Sequence, residues 1–150
     1  MPQSLSQIYL HVVFSTKLRK QWLDPIVRPK LFAYTATVLN NLGCVPTEVG
    51  GYTDHLHILC SLSRTMSPAE LVEEIKKPTS KWMKTQGEAF CDFYWQSGYG
   101  VFSVSRSNVR EVREYIMRQD EHHKTMNFQD ELRRLLTAHG IEFDERYAWD

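Results

Sequence analysis

Residues 45–62 read Val45-Pro46-Thr47-Glu48-Val49-Gly50-Gly51-Tyr52-Thr53-Asp54-His55-Leu56-His57-Ile58-Leu59-Cys60-Ser61-Leu62, two apolar runs flanking a glycine pair. The permissive backbone of Gly50-Gly51 suits a turn, so Val45 to Val49 and His55 to Leu62 are expected to pair as antiparallel strands. Successive strand residues point to opposite faces, which puts His55 and His57 on one side and Leu56, Ile58, Cys60 and Leu62 on the other. The second set is wholly apolar and belongs under helices. The histidines are left on the sheet's open face, where a further helix can dock.

Upstream, Gln7 to Ser15 sets Ile8, Leu10, Val12 and Phe14 against Tyr9, His11 and Val13, the period of a strand. His11 is opposite in parity to the apolar set and therefore a candidate to border the His55–His57 site. Asp24-Pro25 offers a cap and a first helical position for a helix from about Pro25 to Leu42, stopped by Gly43. Ser67-Pro68-Ala69-Glu70 is a capping box opening a helix through Leu71, Ile75 and Trp82, which Pro78 is expected to kink or interrupt. Gly98 to Val104 returns to strand character. Asn108 with Glu111 repeats the capping-box pattern ahead of the helix carrying Tyr115, and a last helix spans about Phe128 to Ala138 before Gly140. The order strand, helix, strand, strand, helix, strand, helix, helix predicts an α+β fold, a ferredoxin-like antiparallel sheet with helices on one face. The tyrosine helix is a C-terminal addition to that core.

The 150 residues and 42% hydrophobic content fit one soluble domain spanning 1–150, with no linker or repeat to divide it. No stretch approaches the roughly 18 apolar residues of a membrane span, and Met1-Pro2-Gln3-Ser4 does not open a leader, so a cytoplasmic protein without a membrane partner is expected. Cys44, Cys60 and Cys91 are odd in number and widely spaced, which argues against a disulfide framework or a zinc knuckle. With 18 basic and 18 acidic side chains, any nucleic-acid surface must come from local segregation of charge.

On the third long helix, residues four apart are neighbours, so Glu111, Tyr115 and Gln119 line up beside the apolar stripe Val109, Val112 and Ile116. A phenol at that edge can reach a site while its helix stays anchored. Two imidazoles can hold a divalent cation, an amide can complete the set, and a phenol can attack a phosphodiester: the elements of a nuclease site. Each has a plainer reading. His-x-His strands occur without metals, most half-buried tyrosines pack their rings and hydrogen-bond their hydroxyl, and His122-His123 also suits a solvated helix end.

Several segments together resemble the single-tyrosine transposases of the HUH endonuclease superfamily, small insertion-sequence enzymes that include the REP-associated tyrosine transposases. Gly50 to Leu59 is similar to the family's HUH strand and Ser80-Lys81-Trp82 to the end of its second helix. Phe93 to Ser105 resembles the block entering its last strand, Tyr115-Ile116-x-x-Gln119 with His122-His123 its nucleophile helix, and Phe128 to Glu131 with Gly140 to Tyr147 its carboxy-terminal part.

The resemblance implies that Tyr115 attacks a DNA phosphate, becoming joined to the 5′ phosphate and releasing a 3′ hydroxyl. It implies His55, His57 and Gln119 as ligands of Mg2+ or Mn2+, with His11 and His122 as candidates supporting them. It also implies single-stranded DNA with hairpins at the element ends as substrate, and a homodimer, with the tyrosine helix supplied in cis or in trans. The bond energy is kept in the phosphotyrosine, so no nucleotide cofactor is expected, in keeping with the lack of a Gly-x-x-x-x-Gly-Lys-[Ser/Thr] loop. Lys17, Arg19 and Lys20, then Lys76, Lys77, Lys81 and Lys84, then Arg106, Arg110 and Arg113 are candidate phosphate contacts. Trp95, Tyr99 and Phe102 are candidates to stack extruded bases. A hairpin-binding dimer that has lost catalysis is the alternative. A small phosphoesterase with two His-x-[Ser/Thr] motifs is disfavoured, because neither His55-Leu56-His57 nor His11-Val12-Val13 carries the hydroxyl.

Overall fold

The two most apolar strands sit at the centre of the sheet. The structure, a computed structural model, describes residues 2–150. Strands β1 (Tyr9–Ser15), β2 (Pro46–Gly51), β3 (His55–Ser61) and β4 (Gly100–Val104) form one antiparallel sheet in the order β2-β3-β1-β4. Register places Leu10 opposite Cys60, Val12 opposite Ile58 and Phe14 opposite Leu56, so six apolar side chains share one face. That face is roofed by α1 (Val27–Asn41) and α2 (Pro68–Lys84), whose Leu31, Leu39, Leu71, Ile75 and Met83 enter the same core as Phe93 and Trp95. The opposite face carries α3 (Val109–Met117), the single turn α4 (Gln119–His122) and α5 (Phe128–Ala138). This is the α+β arrangement expected, with the tyrosine-bearing segment added to the sheet's other side.

The caps explain where the helices begin. Asp24 Oδ1 accepts from Ile26 N at 2.9 Å and Val27 N at 2.8 Å, so α1 starts two residues after the expected Pro25. Ser67 Oγ accepts from Glu70 N at 3.1 Å at the start of α2. Pro78 does not interrupt α2, which runs unbroken through it. Its missing N–H forfeits one backbone bond, but Leu71, Val72, Ile75, Thr79 and Met83 are buried on both sides of it and hold the helix on the sheet. Asn108 makes no side-chain cap, contrary to expectation, because residues 106–108 already form a 3-10 turn that leads into α3.

Gly50 and Gly51 lie inside β2 instead of forming the hairpin turn, which is made by residues 52–54 and closed by Tyr52 N donating to His55 O at 3.1 Å. The pair is required by space. A Cβ on Gly50 would stand 2.7 Å from Ile116 Cγ2, and one on Gly51 would stand 2.2 Å from His55 O.

On the second face, Val13 and Phe102 pack against Phe128, Leu132 and Leu136 of α5, while Leu59 packs against Val109 and Ile116 of α3. Asn127 Oδ1 caps α5 by accepting from Asp130 N at 2.8 Å. Asn127→Ala is expected to lower stability by about 1 kcal/mol in urea unfolding, and an unchanged midpoint would show that α5 does not depend on that cap. Cys44 and Cys60 are buried and Cys91 exposed, all with free thiols. Among the described residues no helix is long and apolar enough to cross a membrane.

Candidate metal and tyrosine site

Strand parity does place the histidines together. His55 and His57 on β3 and His11 on β1 share the second face, and all three are buried. Tyr115 comes from α3, Gln119 opens α4, His123 follows α4, and Glu131 comes from α5. The Tyr115 ring stands edge-on to His57, with centroids 5.8 Å apart. Within the single chain the tyrosine lies beside that chain's own histidines. Tyr115 and Gln119 were expected on one continuous helix, but the backbone departs from it at Arg118 (φ −99, ψ 20). They stay adjacent, because Gln119 Nε2 donates to Tyr115 O at 3.4 Å.

At the centre lies Glu131, a carboxylate with 1% relative exposure. Its Oε1 is 2.9 Å from His57 Nε2, 3.1 Å from His123 Nε2 and 3.4 Å from His55 Nε2. Its Oε2 accepts from the Tyr115 hydroxyl and, at 3.1 Å, from Gln119 Nε2. His122, with its side chain 25% exposed, brings Nε2 to 3.3 Å from Oε2 and 3.4 Å from the Tyr115 hydroxyl. Burial raises the Glu131 carboxyl's pKa, but the histidines' charge and hydrogen bonds outweigh it and hold the group well below the usual carboxylate range. Burial lowers the pKa of His57, and of His11 still more, against the opposing pull of the Glu131 charge. The Tyr115 phenol is pushed above its usual range, first by burial and then by the Glu131 charge.

Proton placement tests whether a cation fits. Asp54 Oδ1 lies 2.7 Å from His55 Nδ1 and, as a carboxylate, accepts its proton, which aims Nε2 into the cluster. Gln119 directs its NH2 to Glu131, which turns Oε1 toward that same Nε2 at 3.0 Å. His55 Nε2, Gln119 Oε1 and Glu131 Oε1 thus converge on one place. A carboxylate behind a ligating imidazole is the usual way its ring is oriented. Among the described residues, His55, His57, His123 and Glu131 offer ligand atoms all within 4.8 Å of one another. The residues fit a divalent ion. His11 Nε2 lies 2.7 Å from His57 Nδ1 and gives that ring the same kind of support.

The sequence reading named His123 only with His122, as part of the block resembling the nucleophile helix, and did not single out Glu131 or Asp54 for this site. Only Glu131 carried a local signal: a charged residue three positions after Phe128 and one before Leu132, on the stripe that α5 buries.

The expected DNA-contacting residues are dispersed. Lys17 and Lys20 are exposed after β1, Arg19 is half-buried with Nη1 at 3.5 Å from Trp149 O, Lys81 is exposed on α2, and Arg106 is exposed before α3. Arg110 pairs with Glu114 at 3.5 Å and Lys77 with Glu73 at 2.7 Å. Lys76 is turned inward, donating to the carbonyls of Gln96 and Gly98, each at 2.7 Å. Trp95 is a core residue and not a base-stacking one: it is 7% exposed, donates to Thr79 Oγ1 at 2.9 Å and packs edge-on against Phe14 and Phe93. Phe102 is likewise buried, while Tyr99 is exposed. Tyr94 is an exposed ring with two basic neighbours: it is 57% exposed, with Lys84 Nζ 4.5 Å and Lys17 Nζ 6.0 Å from its centroid.

A sequence model of the family described as "Transposase IS200 like" matches residues 4–119. The fold is similar to that of a candidate transposase from Deinococcus radiodurans R1, with a TM-score of 0.62 and 19% identity over 79% of this chain and 98% of the other. It is also similar to a REP-associated tyrosine transposase solved with a REP hairpin, with a TM-score of 0.57 and 14% identity over 82% of this chain and 74% of the other. None of the curated proteins compared matches the chain.

Proposed function

The chain belongs to the IS200-like transposase family, and on that premise we propose that it nicks and rejoins single-stranded DNA through a covalent link to Tyr115. The observation that carries this reading is the Tyr115 hydroxyl on the same Glu131 carboxylate that His57 and His123 reach. In the cleavage step the Tyr115 oxygen forms a bond to phosphorus, the bond from phosphorus to the 3′ oxygen breaks, and a free 3′ hydroxyl leaves. The phenolic proton faces Glu131 Oε2, its nearest acceptor. The reverse attack by a 3′ hydroxyl rejoins a strand and frees the tyrosine, so no nucleotide is consumed.

His55, His57 and Gln119 would hold the cation, Mg2+ or Mn2+. When bound, it polarises a nonbridging phosphate oxygen and stabilises the charge that develops on the transferring phosphate. Asp54 and His11 orient the two imidazoles from behind, and burial excludes bulk water from them. A phenol whose pKa is raised by burial and a neighbouring carboxylate is a poor nucleophile alone, which makes the chemistry depend on added positive charge.

For the partner we propose a DNA hairpin flanked by single strand. Lys17 and Lys84 beside exposed Tyr94, with Lys81 three positions before Lys84 on α2, supply a basic, stackable strip for it. One chain holds every group named, and a homodimer would act in pairing two ends. The test is to incubate the protein with labelled single strands containing candidate hairpins, with and without Mn2+ or Mg2+, and run a denaturing gel. A metal-dependent protein-linked band, with the label mapped by peptide mass to Tyr115, is expected. Tight hairpin binding without any such band would overturn the reading in favour of a non-catalytic binding protein.

A further inference from the structure

We infer that Leu18, in the loop after β1, is an apolar wedge that seats on the last base pair of a DNA stem where the stem opens into single strand, with Tyr94 beside it to take the first unpaired base. The inference deepens the reading of the chain as a protein that binds a hairpin flanked by single strand, and rests on it.

The backbone singles out this loop. Leu18 (φ 59, ψ 17) and Arg19 (φ 55) are the two non-glycine residues with positive φ among those described, and they are consecutive. In the left-handed region the Cβ of an L-residue crowds the backbone, a cost that a glycine escapes and an asparagine tolerates. The surroundings hold the conformation regardless. Thr16 N donates to Asp54 O and Lys17 N to Tyr94 O, each at 2.8 Å, Arg19 N donates to Thr16 O at 3.0 Å, and Thr16 Oγ1 donates to Lys20 O at 2.7 Å. Strain fixed in this way is a feature of segments that clamp a ligand.

What the strained backbone presents is an apolar side chain among cations. Leu18 is 73% exposed, and residues 16–23 carry Lys17, Arg19 and Lys20 with no acidic residue. The cations attract phosphates, and the apolar surface that a chain of phosphates offers in return is the face of a base. Inside a duplex that face is covered on both sides, so a wedge must first part a step. At the foot of a stem the last pair is covered on one side only, and a leucine can close the other without unstacking anything. Tyr94 is the adjoining platform, tied to the loop through the Lys17 N–H. The same loop is tied to Asp54, the residue before His55, so Leu18 sets how far from the histidine face the single strand begins.

The test uses the full chain carrying Tyr115→Phe, so that the probes stay intact. Fluorescence anisotropy measures binding to a synthetic stem-loop with a single-stranded extension, and to a single strand of the same length that forms no stem. Leu18→Gly and Leu18→Asn should each weaken binding to the stem-loop by at least about 5-fold, the low end of what covering a base face is worth, and leave the single strand unchanged. Leu18→Met keeps the apolar reach and should bind like its parent. Because no charge is altered, the dependence of affinity on salt should stay the same. Both Gly and Asn suit the left-handed backbone, so neither should lower the melting temperature. Tyr94→Ala, by contrast, should weaken both probes.

Unchanged stem-loop affinity in Leu18→Gly and Leu18→Asn, or an equal loss on the single strand, would overturn the proposal. So would a parent protein that does not prefer the stem-loop to the single strand. A Tyr115 adduct formed by wild type alongside any of these results leaves the nicking function standing and removes this inference alone. The expected dependence on Leu18 without any adduct does the reverse.

Discussion

Tyr115→Phe is expected to form no protein–DNA adduct, a fall of at least about 10⁴-fold, the scale on which loss of a covalent nucleophile acts. The substitution removes one oxygen and little else. The ring's edge-on contacts to His57 at 5.8 Å, His122 at 5.3 Å and His11 at 6.3 Å need no hydroxyl, so α3 keeps its seat. Glu131 Oε2 loses one donor but keeps Gln119 Nε2 at 3.1 Å, and Oε1 keeps His57 and His123. The stability cost should therefore stay within about 1–3 kcal/mol, that of one hydrogen bond to a charged group. Hairpin affinity should persist, since the basic strip beside Tyr94 is not touched. An adduct surviving in this variant would assign the attack to another hydroxyl and sink the mechanism.

The half of this site that sequence alone discloses is the half governed by local period. A strand repeats every two residues whatever it packs on, so His55, His57 and His11 fall on one face as soon as Leu56, Ile58, Leu10 and Val12 are assigned to the other. Tyr115 is legible for a similar reason, at the edge of the Val109–Val112–Ile116 stripe. Glu131 is not. A carboxylate beside Phe128 and Leu132 reads as the rim of an amphipathic helix, and only the docking of α5 onto histidines more than seventy positions away makes it the centre of the cluster. Trp95 fails in the opposite direction: an aromatic beside basic residues suggests stacking, but the neighbours that decide its use, Phe14, Thr79 and Phe93, are set by the tertiary core. Pro78 is tolerated for the same reason, since burial on either side outweighs one missing backbone bond. The glycine pair was read as a turn because glycine permits one, whereas Gly51 is required by the His55 carbonyl and Gly50 by the helix above it.

That reason yields the second large effect: Gly50→Ala is expected to slow adduct formation by about 10²-fold while the protein remains folded. Gly50 pairs with His57 across β2 and β3, so its missing side chain lies on the same face and in the same row as the site. A methyl group there would meet Ile116 Cγ2 at 2.7 Å and Ile116 O at 2.9 Å. The first contact can be relieved by a side-chain rotation. The second is to backbone, so α3 must lift away from the sheet, and Tyr115 is the residue next to Ile116. A displacement approaching an ångström at a nucleophile carries a rate penalty of roughly 10²-fold, whereas overpacking of this kind costs about 1–3 kcal/mol of stability. Single-turnover adduct formation measured well below the melting temperature separates the two, because partial unfolding contributes nothing there. Adding Ile116→Ala should restore little of the rate, since it clears Cγ2 but leaves the carbonyl in place. A wild-type rate in Gly50→Ala would mean that α3 is not held at a fixed height by this contact, and that Tyr115 reaches its phosphate from a position set by something other than the sheet beneath it.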